Sequence, residues 1–485
     1  MSIQNSSEVR KNGITVEVYQ TARKENWYGW SVRKVKQYTG CLNYLIPCEW
    51  RNRFNNINEI VLGDHQIVEM GNIIRESSEP MKQVPILIPL PGLLGFKYPR
   101  FRSLYITDNP LIYKAMTNNS QPRVGEEDSH FFEDTIVAKM LREVTGGQSL
   151  FDAPATKHRQ LRPDIVQSFK HDKVKDMIPS ISCTIQKYLE RWGSSEGSVI
   201  VNEDIKKMAS AIIGTVMGCS DSDLTKIEDT AGTCISALRN KKIRDELGKP
   251  GGVRETLLGA LPIENGDFFQ NLENYSLEDK RAGAILLFLA GQETLASTWT
   301  YWMWLLASRP DIQAEIRKEI KEVTAQNQNL PLQGLIKHLT GLRKKIKELH
   351  RIFPAAWSIA RWTKDDLTID ISSEGGHYQY NIPAGSLIRY SPLYAGRNEN
   401  YAGENPDQFN PDRTVAIDNL TFGNGITSCP GRRFAFEEIA VGTILLLQRF
   451  EISTELESVS FSSTGVSQRI NEDLPIKFNP IMGDV

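Results

Sequence analysis

The chain is short of the features that would place a protein outside the cytosol or on a polyanion. Met1 to Gly13 is mostly polar, and the stretch after it mixes Lys, Arg, Glu and Trp, so neither a signal peptide nor a membrane anchor is expected. Six cysteines, Cys41, Cys48, Cys183, Cys219, Cys234 and Cys429, stand at irregular spacing. They make neither a disulfide framework nor a zinc pattern, and a reduced cytoplasmic setting suits them. A net charge of -2 gives no pull toward nucleic acid or an anionic membrane. Flavin and nicotinamide fingerprints are missing as well, so electrons, where needed, are expected from a separate protein.

What is present is a globular composition, 40% hydrophobic and 24% charged over 485 residues, with apolar surface for a large core. Length alone would favour about three domains, but the motifs below span half the chain and must converge. One large domain over residues 66–485 is therefore expected. Residues 1–65, polar and aromatic with Trp27, Tyr28, Trp30 and Trp50, read as an N-terminal extension of unassigned role.

The stretch Thr421 to Ala435 carries the most specific chemistry. Phe422, Gly425, Cys429 and Gly431 are spaced so that a glycine-rich turn delivers one cysteine to the start of a helix bearing Phe434, Ile439, Ile444 and Leu447. A sulfur facing free N–H groups at a helix N-terminus is stabilised as thiolate, the form that binds metal. Glycines beside it let backbone approach the sulfur and a flat cofactor.

This pattern, Phe, two residues, Gly, three residues, Cys, one residue, Gly and then Ala435, resembles the haem-binding loop of the cytochrome P-450 family. The resemblance implies that Cys429 is the axial thiolate of iron in haem b (iron protoporphyrin IX), pushing electron density that favours O–O cleavage. It implies a mainly α fold with a smaller β-rich part, haem lying between a long central helix and the cysteine loop. Soluble, bacterial-type members are the expected kin. One position departs from the family: the usual basic residue two places before the cysteine, which pairs with a haem propionate, is Thr427.

A second motif sits on a long helix. Ser276-Leu277-Glu278-Asp279 reads as its capping start and Ser308-Arg309-Pro310 as its stop. The helix between them would run about 45–50 Å at 1.5 Å per residue. Its middle, Ala290-Gly291-Gln292-Glu293-Thr294, has a helix-interior glycine, worth about 1 kcal/mol against Ala, and a Thr able to bond the Ala290 carbonyl. Ala-Gly-x-Glu-Thr is similar to the family's oxygen-binding motif. That likeness implies that Thr294 donates a hydrogen bond toward bound O2, Glu293 links it to solvent protons, and Gly291 leaves room for O2.

Further segments follow the family's order. His158 and Arg162 lie one turn apart on a helix, with Phe169 beyond, and resemble the pair that binds haem propionate in bacterial members; Arg361 stands where many of these have another propionate-binding arginine. Together they would offset Thr427. Glu348 and Arg351, at i and i+3, and Arg413 resemble the family's structural triad. Val84–Pro91 and Phe101–Ile106 read as strands, Asp64–Glu76 as a short helix, and Asp108-Asn109-Pro110 as a helix start. Between Met217 and Tyr275 the helical pattern breaks at Gly248–Gly252, as either a mobile lid or core helices joined by a loop.

The resemblance implies hydroxylation of a small apolar substrate, such as a lipid, fatty acid or terpenoid, with O2 and two electrons from a ferredoxin or flavodoxin-type donor. Ala355, Ala356, Trp357 and Ile359, with Phe131, Phe132, Ile136 and Met140, would line its pocket. Arg343, Lys344, Lys345 and Lys347, with Arg432 and Arg433, would draw an acidic donor to the thiolate side. The alternatives are a haem-thiolate isomerase or peroxygenase, and a non-catalytic haem or lipid binder.

Overall fold

A computed structural model describes residues 82–84, 104–119 and most of 136–481. It is mainly helical, with strands gathered into a smaller β-rich part, as expected. The largest sheet runs in the order Lys82–Val84, Leu104–Thr107, Leu387–Tyr390, Ile359–Trp362. Its central pair is parallel, Leu104 opposite Leu387 and Thr107 opposite Tyr390; its outer pairs are antiparallel. A hairpin of Leu367–Ser373 with Gly376–Ile382 packs beside it around Ile369, Ile382, Ile388 and Tyr390.

The larger helical core forms around the helix Leu277–Ser308. Ser276 caps it by accepting from the Asp279 N–H at 3.1 Å, and Arg309-Pro310 ends it and starts the next helix, Pro310–Gln326. Leu295 through Ala307 are buried without a break. This half is apolar all round and is wrapped by neighbours on every side. The cysteine helix, Arg432–Arg449, buries Phe434, Ile439, Ile444 and Leu447, and Trp302 Nε1 donates to Thr443 Oγ1 at 2.8 Å to tie the two helices together.

Several readings are refined here. The second strand is Leu104–Thr107, and the helix after it, Pro110–Asn119, starts where Asn109 Oδ1 accepts from the Leu111 N–H. Of the first strand only Lys82–Val84 is described, ending where the expected Val84–Pro91 begins; 85–91, the helix expected at Asp64–Glu76 and the 1–65 extension lie outside the described residues. Between Met217 and Tyr275, helices Asp221–Ala237, Lys241–Leu247, Val253–Ala260 and Asp267–Gln270 bury Leu257, Phe269 and Leu272 completely. The core-helix reading is the one observed. Those side chains join the same cluster as the long helix.

Candidate cofactor site at Cys429

The loop before the cysteine helix is shaped by backbone that L side chains rarely adopt. Gly423 and Gly425 have φ of 77° and 62°, and a Cβ on Gly423 would sit 3.3 Å from Ser428 Cα. The Cys429 N–H then reaches back to the Phe422 carbonyl at 2.7 Å, closing the loop. Gly431 has an ordinary φ of −81°, and a Cβ there would make only an ordinary contact with Cys429 Sγ, at 3.9 Å. Phe422 packs edge-on to His350 at 4.9 Å, with the Arg432 guanidinium 5.6 Å from its ring centre.

Cys429 is open to solvent by area yet crowded by protein, which describes a group on the floor of a recess. Burial pushes its thiol pKa up; the N–H groups of Gly431 and Arg432 and the charges of Arg162 and Arg432 oppose it. Arg162, from the helix Ala155–Ser168, donates to the Ser428 carbonyl at 2.6 Å and the Ser428 hydroxyl at 3.2 Å. His158 stands one turn before it, and the charges of both Arg162 and Arg361 act on His158, which burial and those two charges hold down to about 4. Among the described residues no acid pairs with His158, Arg162 or Arg361. Arg361, distant in sequence, thus acts on the helix whose Arg162 binds the residue before the sulfur. Thr427 contributes no charge; its hydroxyl donates to the Asn424 carbonyl at 3.3 Å and completes the turn. A thiolate donor, helix N–H groups, a glycine-lined recess and a cationic cluster fit a flat metal-bearing group with anionic substituents.

On the long helix, Thr294 Oγ1 donates to the Ala290 carbonyl at 2.8 Å without interrupting the helix. Glu293 accepts from Ser467 Oγ at 2.8 Å, a contact across 174 residues that the sequence did not reveal. A Cβ on Gly291 would meet Ile213 Cδ1 at 2.7 Å, so its missing side chain serves close packing against the helix Asn202–Val216. Trp357 is a correction: it is fully buried, with the Arg389 guanidinium over its ring at 5.2 Å, and Ile359 packs into the sheet cluster. Phe131 and Phe132 lie outside the described residues; Ile136 and Met140 lie on the helix Ile136–Thr145.

The triad assembles. Arg351 donates to both Glu348 oxygens at 2.7 Å and Arg413 Nε lies 3.5 Å from Glu348 Oε1. Each side chain is nearly inaccessible. Arg351 and Arg413 also bind carbonyls of the 396–408 segment, so the triad staples that segment beneath the cysteine loop. A cavity of about 240 Å³ opens there, lined by Lys344, Lys347, His350, Phe422 and Arg432 among others. Half of the expected basic cluster is paired: Arg343 with Glu437 at 3.4 Å, Lys344 with Asp412 at 2.7 Å, Lys345 with Glu315 at 2.9 Å. Lys347 and Arg432 have no acidic partner among the described residues.

Three contributors escaped sequence reading. Tyr113 stacks on Tyr390 at 4.4 Å and feels the Arg361 charge, and Asn424 Nδ2 donates to Thr117 Oγ1 at 2.9 Å; together they moor the loop to the helix Pro110–Asn119. Neither carries a spacing signal. Glu438 does: an acid in the apolar run of the cysteine helix, fully buried, is a residue that needs a reason.

Comparison with known proteins agrees with this geometry. The cytochrome P450 family model matches residues 264–477. A probable cytochrome P450 6a21 of Drosophila melanogaster is 31% identical over 416 residues, 73% of this chain and 80% of that protein. The mitochondrial cholesterol side-chain cleavage enzyme of Hypanus americanus is 30% identical over 244 residues, 49% of this chain but 43% of its own length. The chain thus spans less than half the length of several curated relatives it matches. A solved structure, retinoic acid-bound cyanobacterial CYP120A1, shares the fold at a TM-score of 0.59 and 20% identity, over 78% of this chain and 90% of that one. No described helix is long and apolar enough to cross a membrane. With the cysteine loop, the cationic cluster and the triad all in place, the chain belongs to the cytochrome P450 family, whose cofactor is haem b.

Proposed function

We propose that this protein is a haem-thiolate monooxygenase that hydroxylates a small apolar substrate with O2 and two electrons from a separate donor. The observation that carries the reading is the helix-terminal Cys429, with Arg162 bound to the residue before it and Arg361 acting on the adjoining His158. Bound haem supplies the iron at which O2 is activated. Cys429 Sγ, with the Gly431 and Arg432 N–H groups directed at it, would hold that iron. Arg162 and Arg361 would supply to the carboxylate substituents of the macrocycle the charge that Thr427 does not, and neutral His158 a hydrogen bond. Thr294 holds a proton at Oγ1, and Glu293, joined to Ser467, replaces it. The triad and the 396–408 segment keep the cysteine loop rigid.

Lys347 and Arg432, which line the cavity beside the loop and have no acidic partner among the described residues, support an acidic donor of the ferredoxin or flavodoxin type, because unpaired cations speed encounter with an acidic protein. Relatives named for cholesterol and retinoic acid support a lipid or terpenoid substrate. A cytoplasmic, bacterial-type enzyme remains our reading from the sequence. The test is the absorbance of dithionite-reduced protein under carbon monoxide, beside Cys429→Ala. A strongly red-shifted Soret band lost in the variant supports the proposal; a band unaffected by the substitution refutes it. Turnover with H2O2 and no donor would replace it with a peroxygenase.

A further inference from the structure

Glu438 is 0% exposed, and Trp299 on the long helix is 2% exposed. Trp299 Nε1 donates to Glu438 Oε1 at 2.6 Å, while Glu438 Oε2 is buried with no hydrogen-bond partner among the described residues. The indole is gripped a second time, because a Cβ on Gly442, one turn beyond Glu438, would overlap its ring at 2.3 Å. Ring and carboxyl therefore fix both the rotation and the height of the long helix on the cysteine helix. Trp299 lies five residues past Thr294, and Glu438 nine past Cys429. The clamp thus connects the two helices that carry the alcohol and the sulfur.

The charges on surrounding elements are directed elsewhere. Glu437 turns to Arg343 at 3.4 Å, Arg317 donates to the carbonyls of Leu447 and Phe450, and Arg449 approaches Glu190 at 3.8 Å. With only an indole N–H to offset it, burial raises the Glu438 acid to about 8, so the group is uncharged at neutral pH. A neutral carboxyl suits an apolar helix interface, whereas an ionised one would draw water between the helices.

We infer that Glu438 is a positioning residue, which through Trp299 sets the placement of Thr294 over the Cys429 recess. The inference rests on the monooxygenase reading of those two residues. It is tested with Glu438→Gln, which keeps a carbonyl acceptor but cannot titrate, Glu438→Leu, which removes the acceptor, and Trp299→Phe, which keeps the ring and removes the N–H. Two readouts are taken on haem-loaded protein from pH 6 to 10: the red-shifted carbon monoxide band, and the affinity for imidazole, a probe that enters on the Thr294 side.

Expressed for the neutral form of imidazole, so that the ligand's own protonation drops out, the expected result is a wild-type affinity that changes as pH rises through about 8, and a pH-independent Glu438→Gln variant near the wild-type value at pH 7. Glu438→Leu and Trp299→Phe should shift affinity about tenfold, in line with the sensitivity of such sites to small displacements, and their double variant should shift it no further. If Glu438→Leu fails to fold, Trp299→Phe alone still decides the matter. A normal wild-type band with affinities that follow neither pH nor substitution, even where melting temperature falls, would leave Glu438 a purely structural residue and overturn the inference. A wild type without the red-shifted band overturns it together with the functional reading.

Discussion

The Arg162 guanidinium donates to the Ser428 carbonyl at 2.6 Å across 266 residues of sequence, joining the helix Ala155–Ser168 to the residue before the cysteine. The same arginine bears on Cys429 and His158 electrostatically. Arg162→Met should therefore weaken haem retention about tenfold, the size of one lost charged hydrogen bond. Arg162→Lys should recover part of it, since a lysine keeps the charge but not the fork. Haem-to-protein absorbance ratios after dialysis against apomyoglobin would show this.

Thr294→Ala should slow product formation about 100-fold while haem binding is unchanged, the typical worth of a positioned proton donor. Thr294→Ser, which keeps the hydroxyl, should retain most of the rate. Stopped-flow and product analysis with any turnover substrate would separate the two; equal rates in both variants would remove Thr294 from the proton path.

Breaking the triad should be expensive. Arg351→Ala leaves Glu348, at 4% side-chain exposure, with the Asn410 N–H at 2.8 Å and the imperfectly placed Arg413, and should cost about 3–5 kcal/mol in urea unfolding. A loss under 1 kcal/mol would show that water reaches the Glu348 carboxylate.

Gly291→Ala should destabilise by about 1–3 kcal/mol through overpacking, because the new methyl would meet Ile213 Cδ1 at 2.7 Å. Ile213→Val removes that atom and should relieve most of the cost in the double variant, a coupling that a cycle of melting curves can measure.

Two buried groups should bend the pH–stability curve in opposite directions. His350 is held down to about 3 by burial and the nearby Arg432. The unfolded state then binds more protons below pH 6.5, so stability is lost as pH falls from there toward 3. Glu438 is raised from 4.5 to about 8; the folded state binds more protons in that window, so stability falls as pH rises through it and levels off above. His350→Leu should flatten the acid limb and Glu438→Gln the alkaline one in denaturant titrations.

How much of this was legible in the sequence follows from what each residue needs for its role. The cysteine turn, the long helix with its Ser276 cap, and the Glu348–Arg351 pair are local: spacing, glycine and capping chemistry settle them within one or two turns of chain, so they could be read directly. The paired state of Lys344 and Lys345, the close packing of Gly291 on Ile213, and the Ser467 contact to Glu293 depend on which distant surface each residue meets. No periodicity encodes that. The sequence by itself determined the chemical parts, a helix-terminal thiol, an acid–alcohol pair and a set of cations. Only tertiary packing decided that the Arg361 charge acts on His158 together with Arg162, that Lys344 and Lys345 are paired with acids, and that a buried acid at Glu438 joins the two helices. Burial, and hence charge state and partner, is a property of the whole packed chain.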